Sequence, residues 1–348
     1  MWRASLAMIM VAGSAIAKEP ALPTAKPIVI AHRGASGERP EHTLAAYTLA
    51  IEQGADFIEP DLVPTKDGHL VARHENNITD TTDVSARPEF RDRKASKTID
   101  GAKQTGWFTE DFTLAELKTL RAKERLPLLR GKNKAYDGQF AVPTLEEIIA
   151  LAKAESAKRG RVIGIYPETK HPTYFASIGL PTDAALVAAL KAAGWDRADA
   201  PVFIQSFEVN NLKALHKLTP VKLIQLIDAD GGPADGAVAS YAEMIAPEGL
   251  RAIAAYAHGI GPAKALIVAN DGTATPLVAD AHTAGLKVHP WTFRAENFFL
   301  PSGLRKGINP AGHGRLVEEI SRHLAAGVDG FFTDYPYLGV QARDRHVR

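Results

Sequence analysis

The chain has 348 residues, of which 45% are hydrophobic and 23% charged, a composition that excludes disordered, collagenous and multi-span membrane proteins. Lys and Arg number 41 against 40 for Asp and Glu, so there is no basic excess to hold a nucleic acid backbone. Cysteine is absent, which removes disulfide scaffolds, Cys-ligated zinc, thiol nucleophiles and iron–sulfur clusters.

The first element is a leader. Arg3, the apolar run from Leu6 to Ala12 and the small-residue ending Ala15-Ile16-Ala17 describe a secretory signal peptide over residues 1–17. The run is shorter than the ~20 residues of a spanning helix. The expectation is therefore cleavage, no membrane anchor afterwards, and a secreted, periplasmic protein.

Short apolar runs then end repeatedly in polar residues. Ile28–Ala31 leads to His32-Arg33-Gly34, Asp56–Ile58 to Glu59-Pro60-Asp61, and Leu70–Ala72 to His74. Val162–Ile165 leads to Glu168-Thr169-Lys170, and Val202–Ile204 to Gln205-Ser206-Phe207. Further strands are expected at Val221–Leu226, near Ala257–Gly261, at Leu286–Trp291 and at Val328–Asp334.

Helical periodicity fills the gaps. Thr43 can cap a helix to about Gln53, and Thr144 with Glu147 forms a capping box for one reaching about Lys158. Helices are also expected at 183–194, 209–218, 277–284 and 314–326. Alternating strands and helices predict a parallel sheet, and polar strand ends predict a (β/α)8 TIM-type barrel with its chemistry at the C-terminal rim.

Two stretches break the rhythm. Asp61 to His69 is too short for a parallel crossover, and Thr65-Lys66-Asp67-Gly68 is a turn, so a hairpin returns His74 opposite Glu59 or Asp61. Residues 75–143 are rich in charge and turns, with one helix expected over Thr113–Lys123. They read as an inserted, partly helical capping subdomain within a barrel domain spanning 24–345.

Glu59 and Asp61 lie two apart on a strand and point the same way. Paired carboxylates repel unless a cation sits between them. With Glu168 they form a hard, oxygen-rich set that suits Ca²⁺ or Mg²⁺. The competing reading pairs Glu59 and Asp61 with lysines or loop amides at the barrel mouth. His32 alone reads equally as a hydrogen-bonded structural residue, but His74 joins it through the hairpin. Two imidazoles beside a cation, Arg33 and Lys170 suit acid–base cleavage of a phosphodiester. Trp291 and Phe207 offer either an apolar substrate wall or core packing. Glu41 and His42 can reach the rim or start a helix, and Lys132 to Lys134 reads as a solvated loop.

These residues together resemble the glycerophosphodiester phosphodiesterase family. The resemblance rests on His32-Arg33-Gly34, Arg39-Pro40-Glu41-His42-Thr43, Glu59-Pro60-Asp61-Leu62, Thr65-Lys66-Asp67-Gly68 and Ala72-Arg73-His74-Glu75. It continues through Glu168-Thr169-Lys170, Gln205-Ser206-Phe207, His289-Pro290-Trp291-Thr292 and Phe332-Thr333-Asp334-Tyr335-Pro336. Thr82-Asp83-Val84 and Gly106–Phe112 look like the secreted, periplasmic branch. The resemblance implies metal-dependent hydrolysis of small glycerophosphodiesters, such as glycerophosphocholine or glycerophosphoethanolamine, to sn-glycerol 3-phosphate and an alcohol. It implies His32 and His74 as the acid–base pair, Glu59, Asp61 and Glu168 as ligands of one divalent cation, usually Ca²⁺, and Arg33 and Lys170 as phosphate contacts. His42 stands where the family often has Asn, and Glu75 where it often has Asp. Two other readings are a lysophospholipid or sphingomyelin head-group phosphodiesterase on the same barrel, and a periplasmic phosphate-ester binding protein.

Overall fold

The computed structural model describes residues 26–347. The expected leader lies outside the described residues. Strands β1 (Ile28–His32), β2 (Phe57–Glu59), β3 (Asp61–Pro64) and β4 (Leu70–Ala72) come first, followed by a hairpin of β5 (Ala95–Ile99) and β6 (Ala102–Gly106). Then come β7 (Gly164–Ile165), β8 (Glu168–Thr169), β9 (Phe203–Ser206), β10 (Lys222–Ile227), β11 (Gly259–Pro262), β12 (Lys287–Val288) and β13 (Gly330–Thr333).

The strand positions follow the expected order, with two of them split. Pro60 interrupts β2 and β3, and Tyr166-Pro167 interrupts β7 and β8. Proline has no N–H to give a ladder, so each strand changes partners at the break. One sheet runs β13-β1-β2-β7, and a second runs β12-β11-β10-β9-β8-β3-β4. All pairings in them are parallel except β3 with β4. Neither sheet closes as a ladder, which departs from the regular closed barrel expected. Between β12 and β13 there are instead separate bonds: Asp329 N–H to the Val288 carbonyl at 3.0 Å and Phe332 N–H to the Pro290 carbonyl at 3.0 Å.

Strand alternation explains what fills the interior. Ile28, Ile30 and His32 share one face of β1, Phe57 and Glu59 one face of β2, and Phe203 and Gln205 one face of β9. Ile30, Tyr166, Ile224 and Phe332 are buried together, with Phe57 and Phe203 packed against them. Tyr166 meets Phe332 edge-on at 4.9 Å and stacks on Phe203 at 5.1 Å. The polar residue one step further along each strand is therefore held on an aromatic floor. The opposite strand faces, with Val29, Ala31, Ile58 and Leu62, pack against the helices.

Thr43 accepts from Ala46 N–H and starts the helix Leu44–Glu52. The Thr144–Glu147 capping box is formed, and its helix Leu145–Arg159 ends at Gly160 with φ 61°. The helix expected over Thr113–Lys123 is shorter, Leu114–Leu117. Its capping box is present, but the residues beyond turn away and bury Leu120 and Ala122. Leu120 packs with Ile78, Val84, Phe90, Trp107, Phe112 and Leu117 in a cluster that also takes in Val63 of β3, Val71 of β4 and Phe175. Residues 75–143 also contain the β5–β6 hairpin, which the sequence reading lacked. Among the described residues no helix is long and apolar enough to cross a membrane.

Candidate active site

The turn after β1 places two functional groups at once. Arg33 has φ 60° and Gly34 φ 86°. At Gly34 a Cβ would lie 2.7 Å from the Ala46 backbone, so only glycine lets the chain pass the helix start. The turn aims Arg33 N–H at Glu59 Oε2 (2.8 Å), while its guanidinium pairs with Asp61 Oδ2 (3.1 Å) and Glu41 Oε2 (3.2 Å). His32 Nδ1 is 2.6 Å from Asp334 Oδ1.

Glu59, Asp61 and Glu168 are buried, and one carboxylate oxygen from each lies within 4.8 Å of the others. Burial, with Asp61 and Glu168 alongside, pushes Glu59 well above the usual carboxylate range. Burial pushes Glu168 up to about 8, against the pull of Lys170 Nζ at 3.0 Å. Burial also opposes ionisation of Asp61, but Arg33 and the hydrogen bond from His42 hold it well below its ordinary value. Three buried carboxylates that cannot all ionise together are the donor set a divalent cation neutralises. Gln205 adds a further oxygen: its Nε2 donates to Glu59 Oε1 at 3.2 Å, and its buried Oε1 has no partner. These residues fit a hard cation with oxygen ligands.

The β3–β4 hairpin is antiparallel, pairing Leu62 with Ala72, Val63 with Val71 and Pro64 with Leu70. Arg73 N–H continues the ladder to the Asp61 carbonyl at 3.0 Å. This register sets His74 opposite Pro60, between the two carboxylates and not opposite either. His74 Nδ1 is 3.0 Å from Glu75 Oε1, and Glu75 Oε2 is 2.8 Å from His171 Nε2. Burial, with Arg33 and Lys170 nearby, lowers His74 to about 3. Burial and Arg33 lower His32 to about 4 against the opposing pull of Asp334.

Several of these groups border one cavity of about 320 Å³. His32, Arg33, His74, Glu59, Glu168 and Lys170 line it, as do Phe207 and Trp291, whose rings meet edge-on at 5.7 Å. Trp291 Nε1 donates to the Gly261 carbonyl at 2.7 Å, which fixes the indole. Asp61 sits behind this wall, held by Arg33 and by His42.

The sequence leaves Glu41 and His42 between the rim and a helix start, and it assigns no role to Arg125, Arg130, Arg294 or Asp334. His42, at φ 56°, bridges Tyr47 OH (2.8 Å) and Asp61 Oδ2 (2.9 Å), while Glu41 also takes Arg125 Nε at 2.9 Å. Arg125 from the insertion and Arg294 after β12 both line the cavity. Arg294 Nε is 3.0 Å from Asp334 Oδ2, and the buried Arg130 binds the same oxygen and, at 2.6 Å, Glu296. Burial would raise Asp334, but Arg130 and Arg294 hold it well below its ordinary value. The only signal in the sequence was the Thr333-Asp334 strand end. Nothing local pointed to the arginines.

The sequence profile of the glycerophosphoryl diester phosphodiesterase family matches residues 32–338. A glycerophosphodiester phosphodiesterase of Arabidopsis thaliana is 40% identical over 330 residues, covering 90% of this chain and 85% of its own. One from Haemophilus influenzae is 31% identical over 342 residues, covering 90% and 89%. A solved phosphodiesterase of Oleispira antarctica, in complex with the product sn-glycerol-3-phosphate, superposes with TM-score 0.60 at 25% identity over 91% of this chain and 97% of that one. A glycerophosphodiester phosphodiesterase from Agrobacterium tumefaciens shares the fold, with TM-score 0.57 at 19% identity over 90% and 99%.

Proposed function

Because the chain belongs to the glycerophosphoryl diester phosphodiesterase family and is a hydrolase of that class, we propose that it cleaves glycerophosphodiesters to sn-glycerol 3-phosphate and a free alcohol. The observation that carries this reading is the meeting of His32, His74, Arg33, Lys170, Glu59 and Glu168 on one cavity, with Asp61 completing the buried carboxylate triad behind its wall. Water or the neighbouring glycerol hydroxyl attacks phosphorus. One imidazole takes the proton of the attacking oxygen, and the other gives a proton to the leaving alkoxide as the P–O bond breaks. Both rings have Nδ1 engaged by a carboxylate, so each presents Nε2 for these transfers, and the ring that acts as the acid must enter the step as the imidazolium, protonated on both nitrogens. Ionised Asp334 accepts from His32 Nδ1–H, which leaves Nε2 unprotonated and ready to act as a base.

Arg33 and Lys170 supply positive charge to the phosphoryl oxygens, and Phe207 with Trp291 forms the apolar wall against the substrate. Glu59, Asp61 and Glu168 would hold one divalent cation, which when bound adds charge neutralisation at those oxygens. All-oxygen donors favour Ca²⁺, with Mg²⁺ the second choice. We read the two sheets as one (β/α)8 barrel split at its proline breaks, with residues 75–143 as a cap on the rim. We also read residues 1–17 as a signal peptide, which would place the protein in the periplasm.

The test is release of glycerol 3-phosphate from glycerophosphocholine before chelation, after it, and with Ca²⁺ or Mg²⁺ restored. Loss on chelation and recovery with one ion is the expected result. Failure with both ions, alongside turnover of lysophosphatidylcholine, would move the assignment to a lipid head-group enzyme.

A further inference from the structure

The two most exposed large apolar side chains among the described residues are Ile308, at 102%, and Leu128, at 93%. They lie on two loops that leave the wall of the catalytic cavity. Arg125 and Arg294 line that cavity; the loop 126–136 follows Arg125 directly, and the loop 297–315 follows Arg294 after Ala295 and Glu296. The loops pack together: Arg130 of the first bonds Glu296 at the base of the second at 2.6 Å, and Leu129 and Lys132 share a groove with Ala311 and His313.

Neither loop contains an Asp or Glu. Lys132, Lys134, Arg305 and Lys306 are all exposed. Their neighbours Arg125, Arg130 and Arg315 are held in ion pairs; among the described residues these four have none. In a chain with 41 basic and 40 acidic residues, this is a matter of placement and not of composition.

A single exposed leucine has no meaning by itself. Bare Leu and Ile tips set among unpaired cations form a more specific surface. Lysine is depleted from protein–protein interfaces. An anionic membrane surface attracts it and takes Leu and Ile into the headgroup–acyl boundary. We propose that these two loops form a reversible docking surface for an anionic lipid bilayer, with Leu128 and Ile308 inserted and the four cations over the headgroups. This is peripheral attachment, separate from any leader or anchor.

The experiment is flotation of the purified protein with phosphatidylcholine vesicles, with and without phosphatidylglycerol. Binding is expected only with the anionic lipid. The Leu128→Asp/Ile308→Asp variant should lose about tenfold or more of it, with circular dichroism and glycerophosphocholine turnover unchanged. Should the aspartates lower the melting temperature, Leu128→Ser/Ile308→Ser replaces them. No flotation with anionic vesicles, or equal flotation of a folded variant, would overturn the proposal. The readout does not use turnover, so a failed phosphodiesterase assay leaves it standing.

Discussion

Asp334 and Glu75 set what His32 and His74 can do, because each occupies the same nitrogen of its imidazole. His32→Ala and His74→Ala should each lower turnover at least ~10²-fold, since a positioned acid or base contributes about that much or more. Their circular dichroism should match the parent. Near-normal rates in both folded variants would remove the acid–base assignment. Asp334→Asn tests the positioning separately. An amide can donate to Nδ1 and force the proton onto Nε2, so kcat should fall ~10²-fold or more with KM little changed. A fall in kcat with a comparable rise in KM would instead mean a collapsed pocket. The histidines and the carboxylates were legible in the sequence because they end apolar strands. Asp334 as the partner of His32, across 302 residues, and Arg130 as the partner of Asp334, across 204, were not. Only folding brings such pairs together, and no period or spacing encodes them.

The elements with a hydrophobic period were readable, and those without one were not. The helices Val209–Leu218 and Leu277–Thr283 stand where periodicity put them. The helices Pro172–Ser177, Pro247–Ala254 and Pro336–His346 begin with proline at the first turn, which reads locally as a break although its fixed φ suits that position. The β5–β6 hairpin is mostly exposed and polar, so it lacks the alternation that marks a half-buried strand. Its Asp100-Gly101 turn was the one signal available. Residues 75–143 are joined to the rest of the chain by the apolar cluster shared with Val63, Val71 and Phe175 and by Arg130, whose ion pairs with Glu296 and Asp334 are buried. Arg130→Met leaves Glu296 without its guanidinium partner and Asp334 with Arg294 alone. Breaking one partner of a buried pair costs about 3–5 kcal/mol. The variant should therefore unfold at a lower urea midpoint and lose activity with it. An unchanged midpoint would show that the apolar cluster shared with Val63, Val71 and Phe175 holds this segment without the arginine. Thr144→Ala removes a helix cap remote from the cavity and should cost about 1 kcal/mol with the catalytic constants unchanged.

At the scale of the molecule, the buried carboxylates make stability depend on pH and on metal together. Folded and metal-free, Glu168 keeps its proton up to about 8, against an ordinary value of 4.5. Between those values the folded chain holds a proton that the unfolded chain has released, so metal-free stability falls as pH rises. A cation takes that proton's place. The gain in Tm on adding Ca²⁺ should thus be larger at about pH 8 than at about pH 6. Equal gains would count against this carboxylate set as the binding site. The opposite sign holds for Asp334, whose folded value is depressed: its contribution is present above its ordinary 3.8 and disappears in acid. The insertion bears on a different question, that of modularity. It begins beside His74, sends Arg125 into the cavity and carries the arginine that braces His32's carboxylate. Excising it to make a minimal enzyme would dismantle the chemistry. Transplanting it onto another scaffold would need an acidic anchor at both of the positions Arg130 grips and an apolar face in place of Val63, Val71 and Phe175.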